Sequence, residues 1–345
     1  MSDSCFLDIY GYRALVASAP VSVLSGIRED FAFFEKQWTS SAESVAVRIE
    51  IFQTEPPYDR AQHASAPVFT PRNVSFRSDG TTFLDYSGRA LGIHDPQKQT
   101  FQVYSLNADL LYEVTYLFLL SQTGEFFDAH DRHRVHALCV SIASKAALVL
   151  LPMGGGKSTL GSQLLRFPDI KLLSDDSPLI DGNGKVWAFP LRIGLLPGFE
   201  GTIPPEQFRK VERMEFGPKL LMRYACFADR VIPDAEPCLL FLGSRSLRAA
   251  CEISRASKSA ALHSMAINCI IGIGLFQGME FVFQRGWMEV FRKAVTALSR
   301  LRASFRLIAR SEVYNLTLGR DLELNAQTLV EFIRRQVSES PSNRP

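Results

Sequence analysis

Apolar and polar positions follow two different rhythms along this chain. In the first third, RALVASAP, VAVRIEIF, VSFRSDGTTFLDY and TFQVYSL read as strands with one face buried. Between the first two of these, VSVLSGIREDFAFFEKQW places its apolar residues at helical spacing. The proline-rich and polar stretch QTEPPYDRAQHASAPVFTPRN is expected to be an exposed loop. NADLLYEVTYLFLLSQTG opens on Asn107, keeps a helical apolar period and closes on Gly124, so it predicts a capped helix with a domain boundary just after it.

From Phe126 the rhythm changes to mainly apolar strands punctuated by glycine, as expected for a sheet covered on both faces. HALCVSIASKAALVLLP predicts a strand, a tight turn near Ala143 to Lys145 and a second strand. Gly154, Gly155 and Gly156 follow, then a helix from about Lys157 to Phe167, and IKLLSDDSPLI supplies a strand ending in acids. WMEVFRKAVTALSRLRASFRL and AQTLVEFIRRQV predict amphipathic helices, with the basic run Arg292, Lys293, Arg300, Arg302, Arg306 and Arg310 as a solvated face. The expected division is an α+β accessory domain over 1–125, an α/β domain over 126–337 and a frayed tail, SESPSNRP, over 338–345.

Composition narrows this picture only modestly. With 345 residues, 46% of them hydrophobic, the chain can bury one large core or two smaller ones. A net charge of +2 is too mild to point to nucleic acid or another polyanion. The six cysteines are scattered without a C-x-x-C pair, which argues against a disulfide framework or zinc site. The first residues show no secretory pattern, so cytoplasm is the expected compartment. Met265 to Phe283 is strongly apolar but holds Asn268, Gln277, Glu280 and three glycines; a buried element is expected there, not a membrane span.

The candidate chemistry lies in LLPMGGGKSTLGSQLL. Glycines let backbone N–H groups converge on phosphates, Lys157 supplies a cation for the outer phosphates, Ser158 a hydroxyl for Mg2+, and Thr159 a contact to the inner phosphates. The slot of the first glycine in the usual pattern holds Leu151, and Pro152 has no N–H to donate. Asp175 and Asp176 follow Lys157 by 18 and 19 residues at the end of the next strand, where one carboxylate can serve a metal shell and the other an incoming hydroxyl. His130, His133 and His136 do not share one strand face, which argues against a zinc set and leaves His136 to be weighed alone. Arg192 and Lys219 follow the acids and are candidate contacts to substrate or phosphate.

His136, GGGKS at Gly154 to Ser158, and LLSDD at Leu172 to Asp176 together resemble the catalytic domain of HPr kinase/phosphorylase, and more loosely the phosphoenolpyruvate carboxykinase group. The resemblance covers roughly Phe126 to Val282 and implies a P-loop kinase fold of that type, preceded by a smaller α+β domain. It further implies Asp175 as the proton-accepting aspartate, Asp176 as its partner near the metal, His136 as the active-site histidine and Ser158 as the magnesium hydroxyl. The glycine-rich segment that marks the bifunctional enzyme is not found after the aspartates. WAFPLRIGLLPG instead resembles stand-alone kinases of the superfamily, including those that act on peptides.

The expectation is therefore an ATP- and Mg2+-dependent kinase acting on a hydroxyl, with serine of a protein or peptide preferred and a small molecule as an alternative. A nucleotide-binding regulator or assembly factor with little transfer activity is the competing class, and a homo-oligomer is compatible with either. A transporter-type ATPase is disfavoured, because no LSGGQ-like signature is present.

Overall fold

The computed structural model describes residues 4–38, 44–61, 64–70, 73–195, 204–212, 217–271 and 287–339. The chain is of mixed α/β type with large sheets. It divides into two units: Met1–Phe126 with Arg209–Leu220 and Phe281–Val290, and Phe127–Phe208 with Leu221–Glu280 and Phe291–Pro345.

The first unit is organised on nine strands: β1 Cys5–Ile9, β2 Tyr12–Ser18, β3 Glu35–Lys36, β4 Val47–Phe52, β5 Ser65–Phe69, β6 Val74–Ser78, β7 Thr81–Asp85, β8 Leu91–Asp95 and β9 Thr100–Tyr104. Their order is β3-β1-β2-β4-β9-β8-β7-β6-β5. Helix α1 (Val21–Asp30) buries Val23, Leu24 and Ile27, and helix α2 (Ala108–Ala129) buries Leu111 and Val114. Asn107 caps α2 as its position predicts, its Oδ1 accepting from Leu110 N at 3.1 Å.

Two expectations are corrected in this region. The stretch read as an exposed loop contains a 3-10 turn at Tyr58–Ala61 and the strand β5, paired antiparallel with β6. Helix α2 continues through Gly124 to Ala129. A glycine inside a helix costs about 1 kcal/mol, less than is recovered by burying an aromatic such as Phe127 one turn on.

The second unit is built on β10 Arg132–Arg134, β11 Leu138–Ile142, β12 Lys145–Leu150, β13 Lys171–Ser174, β14 Leu179–Asp181 and β15 Val186–Trp187. Three short strands, β16 Ile193–Leu195, β17 Phe208–Val211 and β18 Lys219–Met222, form a separate small sheet. The chain then adds β19 Asp234–Arg245, β20 Glu252–Arg255 and β21 Glu312–Leu318, with helices α3 Lys157–Leu164, α4 Lys258–Met265, α5 Trp287–Ala309 and α6 Leu322–Glu339. The large sheet runs β10-β14-β15-β19-β12-β11-β13, and β21 pairs with both β19 and β20.

Strand directions decide what meets at each end of this sheet. β12, β19 and β21 are mutually parallel, whereas β11 is antiparallel to both β12 and β13. The C-terminal ends of β12 and β13 and the N-terminal end of β11 therefore share one edge. The reversal between β11 and β12 is the tight turn expected there, with Ala143 and Ser144 at φ +48° and +59°, the left-handed values of a two-residue hairpin turn. Leu138, Val149, Leu172 and Phe241 of the sheet pack with Leu160 and Leu164 of α3 and Leu329 and Ile333 of α6 in one core.

Some sequence readings need adjusting at the chain's far end. Helix α6 includes Ser338 and Glu339, which were expected to fray, and 340–345 lie outside the described residues. Within the apolar stretch from Met265, Ala266–Ile271 is a wide helical turn with Cys269 buried, and 272–283 lie outside the described residues. Among the described residues, no helix is long and apolar enough to cross a membrane.

Candidate functional site

The glycine-rich loop leaves the end of β12 and turns directly into α3. Gly156 caps the helix at φ +97°, a conformation that L side chains rarely adopt. A Cβ on Gly155 would lie 2.9 Å from the Pro152 carbonyl, so that position excludes any side chain. The first bond of α3 runs from Leu160 N to Gly156 O. The N–H groups of Lys157, Ser158 and Thr159 thus have no intrahelical carbonyl, and they collect at the positive end of the helix.

Leu151, standing where a glycine was expected, is buried at 1% exposure in the core. Room for it comes from the neighbouring strand. A Cβ on Gly243 of β19 would fall 2.5 Å from Leu151 Cδ2, so glycine at 243 accommodates leucine at 151.

Lys157 is 6% exposed and its ammonium is held close to the loop. It donates to Leu151 O at 2.9 Å and to His136 Nε2 at 2.8 Å, with Asp176 Oδ1 3.7 Å away. Because Nε2 accepts, the imidazole carries its proton on Nδ1. That nitrogen faces Asp176 Oδ1 at 3.3 Å, at an angle that makes no hydrogen bond. Burial lowers the His136 pKa below the ordinary histidine value; the Asp176 carboxylate opposes this and the Lys157 charge reinforces it. Burial also lowers the Lys157 pKa, opposed by Asp176 and then Asp175.

The two aspartates have different environments. Asp175 is 5% exposed and accepts from Ser158 Oγ at 3.0 Å. The Asp176 side chain is half exposed and lies beside His136 and Lys157. Ser174 Oγ shapes their turn, donating to Phe189 O at 2.9 Å and accepting from Ser177 N at 3.0 Å. Ala137 N bonds to Asp176 O at 3.0 Å and His136 N to Asn268 O at 2.9 Å, which fixes the histidine segment against the acidic turn.

His136, the loop from Gly154 to Thr159, Asp175 and Asp176 thus come together at one sheet edge. Thr159 is buried in the first turn of α3. Arg192 directly precedes β16, shortly after Phe189, whose backbone bonds to β13. Lys219 opens β18 and counts with the first unit. His133 is separate from this edge: it is fully buried, with Nδ1 2.9 Å from Asp128 Oδ1 and Nε2 3.0 Å from Ser299 Oγ.

One residue near the loop was missed in the sequence. Arg245 ends β19, and its Nη1 lies 3.6 Å from where a Gly156 Cβ would stand. No local motif marks it, because its place depends on β19 lying parallel to β12. In the basic run read as a solvated face, Arg302, Arg306 and Arg310 are exposed as expected and bond Asp131, Asn183 and Glu236. Arg300 is the correction: it is buried and bonds Asp128. The side chains of Arg292 and Lys293 lie outside the described residues.

No family model and no curated protein matches this chain. A comparison with solved structures finds the HPr(Ser) kinase/phosphatase from Coxiella burnetii, at 13% identity, covering 59% of this chain and 98% of that one, with a TM-score of 0.28. A likeness of that degree carries no argument about function, and the reading below rests on the site itself.

Proposed function

We propose that this chain is a phosphotransferase that moves the γ-phosphoryl group of ATP to a hydroxyl, with serine of a protein or peptide as the preferred acceptor. The observation that carries this reading is the convergence of a glycine-rich helix N-terminus, a lysine, a serine–aspartate pair and a second aspartate beside a histidine. The residues fit the group: helix amides without intrahelical partners, a Gly155 closed to any side chain and positive-φ glycines at 154 and 156 suit a phosphate chain, and Ser158 with Asp175 suits Mg2+. ATP with Mg2+ supplies the transferable phosphoryl group and part of the charge neutralisation.

The protein's own part is positioning and electrostatics. Gly154, Gly155 and Gly156 let the backbone approach, and Lys157 offers a cation once it turns from the loop carbonyls. Ser158 and Asp175 hold the metal side. In this proposal Asp176, the more exposed carboxylate, takes the acceptor proton, with His136 and Lys157 beside it, so the roles of the two acids are the reverse of those the resemblance implies. Arg192 and Lys219 are proposed as acceptor or phosphate contacts, and a small-molecule hydroxyl remains the alternative acceptor.

A second reading is favoured by one observation. The Lys157 ammonium is engaged by Leu151 O and His136, which suits a nucleotide-binding regulator or assembly factor that transfers phosphate poorly. The deciding experiment incubates the purified chain with γ-labelled ATP, Mg2+ and candidate hydroxyl acceptors, beside Lys157→Ala, Asp175→Asn and Asp176→Asn. Transfer that survives all three substitutions refutes the kinase reading; nucleotide binding without acceptor-dependent transfer favours the regulator.

A further inference from the structure

The glycine-rich loop has two flanks. On one lie β11 and β13, which bring His136, Asp175 and Asp176; on the other lies β19. Register carries β19 along the loop: Leu242 sits opposite Leu150, the last residue of β12, and β19 continues past it to Arg245. Arg245 is opposite Leu318 of β21, and Ser246 N bonds Leu318 O at 2.9 Å, so the backbone that carries this arginine is fixed on a paired strand.

Three observations bear on what Arg245 does there. Its guanidinium reaches the start of α3. Outside the chain neighbours of Gly156, Nη1 is the one heavy atom among the described residues within 4 Å of where a Cβ on that glycine would stand, at 3.6 Å. It is also uncommitted: Arg248 nearby pairs with Glu252, whereas Arg245 is exposed and makes no hydrogen bond or ion pair among the described residues. Third, the loop is short of positive charge. The Lys157 ammonium lies in the field of both Asp176 and Asp175, and burial lowers the His136 pKa, so the imidazole adds no charge near neutrality. One ammonium against two carboxylates leaves the site negative before any polyphosphate enters, and Mg2+ offsets only part of what a polyphosphate adds.

The first turn of α3 also gives the two flanks different partners. Ser158 meets Asp175 on one side, and Gly156 meets Arg245 on the other. The buried His136 Nδ1, which has no hydrogen-bond partner among the described residues, belongs with the aspartates. A phosphate chain lying over the amides of 157–159 therefore has its transferring end toward β13 and its inner end toward β19.

Resting on the nucleotide-binding reading of this loop, we propose that Arg245 binds the inner phosphates of the donor and thereby sets the direction in which the donor lies across the loop. An arginine suits the task, because its planar fork can engage two phosphate oxygens at once.

The test is calorimetric titration of the full chain, at fixed ionic strength and with Mg2+, using ADP and a non-hydrolysable ATP analogue. Arg245→Gln is expected to weaken both by about tenfold, the loss of one charge-assisted contact, and Arg245→Lys to recover part of it. Arg248→Gln should leave both unchanged. Because Arg245 is exposed and unpartnered, its variants should keep the wild-type thermal midpoint, so weaker binding is not a folding defect. In transfer assays the KM for ATP should rise by a similar factor with kcat little changed. ADP binding unaffected by Arg245→Gln overturns the inference and leaves the nucleotide reading standing. The same holds for a loss confined to the ATP analogue, which puts Arg245 on the transferring phosphate, and for an equal loss in Arg248→Gln, which marks a general effect of charge. A wild-type chain that binds neither probe overturns the inference and the nucleotide reading together.

Discussion

Replacing Arg300 with methionine is the sharpest test of how α5 is held to the second unit. The guanidinium makes four bonds: Nε to Asp128 Oδ1 at 3.1 Å, Nη2 to Asp128 Oδ2 at 2.7 Å, and Nη1 to the carbonyls of Cys269 and Ile270 at 3.2 and 3.1 Å. Its side chain is 9% exposed and that of Asp128 16%, so both charges depend on each other for solvation. Methionine keeps most of the apolar stem but leaves the carboxylate with His133 alone. Breaking a buried pair costs about 3–5 kcal/mol, and the two released carbonyls can regain part of their bonding from water, so the expected loss is about 4 kcal/mol. Urea unfolding followed by Trp187 fluorescence, with Trp38 and Trp287 changed to phenylalanine, measures it in the relevant unit.

The same variant has a signature in pH. Burial alone would raise the Asp128 pKa, but hydrogen bonds from His133 and Arg300 overcome this and hold it below the ordinary carboxylate value of 3.8. A depressed folded-state pKa contributes stability that is fully present above the unfolded value and is lost as pH falls through the folded one. The gap between wild type and Arg300→Met should therefore be constant near neutrality and narrow below pH 3.8. A loss under about 1 kcal/mol, the level of a surface pair, or a gap that stays constant on acidification, would refute the buried-pair argument.

Three further outcomes are expected. Gly243→Ala should destabilise the second unit by about 1–3 kcal/mol in urea midpoints, and Leu151→Ala in the same chain should not restore it, because the added Cβ meets the Leu150 carbonyl at 2.7 Å as well as the Leu151 side chain. In transfer assays, Asp175→Asn should raise the Mg2+ concentration needed for half-maximal rate, whereas Asp176→Asn should lower the rate at saturating Mg2+ by about 10²–10⁴-fold; the opposite pattern would restore the roles implied by the resemblance. Asp169→Asn removes an exposed pair with Arg334, whose bonds are 2.7 and 2.8 Å, and should cost no more than about 1 kcal/mol in thermal or urea unfolding.

What could be read from sequence was local in the chain. The β11–β12 hairpin, the glycine-rich loop, α3 and the acids after β13 follow one another closely, and each carries its own signal in period, turn chemistry or charge. The features that escaped depend on partners far away in sequence. Gly243 explains Leu151, and Arg245 reaches the loop, only because β19 pairs parallel to β12. Arg300 reads as a solvated residue on α5 until Asp128, at the end of a helix much earlier in the chain, is seen beneath it. Composition misled at β5, where SAPVF pairs as a strand despite its proline-rich surroundings, and local propensity misled at Gly124, which packing carries through α2. The distinction between Asp175 and Asp176 needed the turn made by Ser174 and Phe189, which no pattern of neighbouring acids encodes.

The place of β12 between a near neighbour and a distant one has a consequence for the order of folding. On one side it pairs with β11 through a two-residue turn, a contact that closes quickly. On the other it meets β19, whose residues enter the chain only at Asp234, so this parallel pairing must close a long loop first. The hairpin can exist before the groove that receives Leu151 does. Protection of the Leu160 amide, which closes the first turn after the glycine-rich loop, should therefore appear later in refolding than protection of the hairpin's own amides, since the loop takes its final shape only when the late strand arrives.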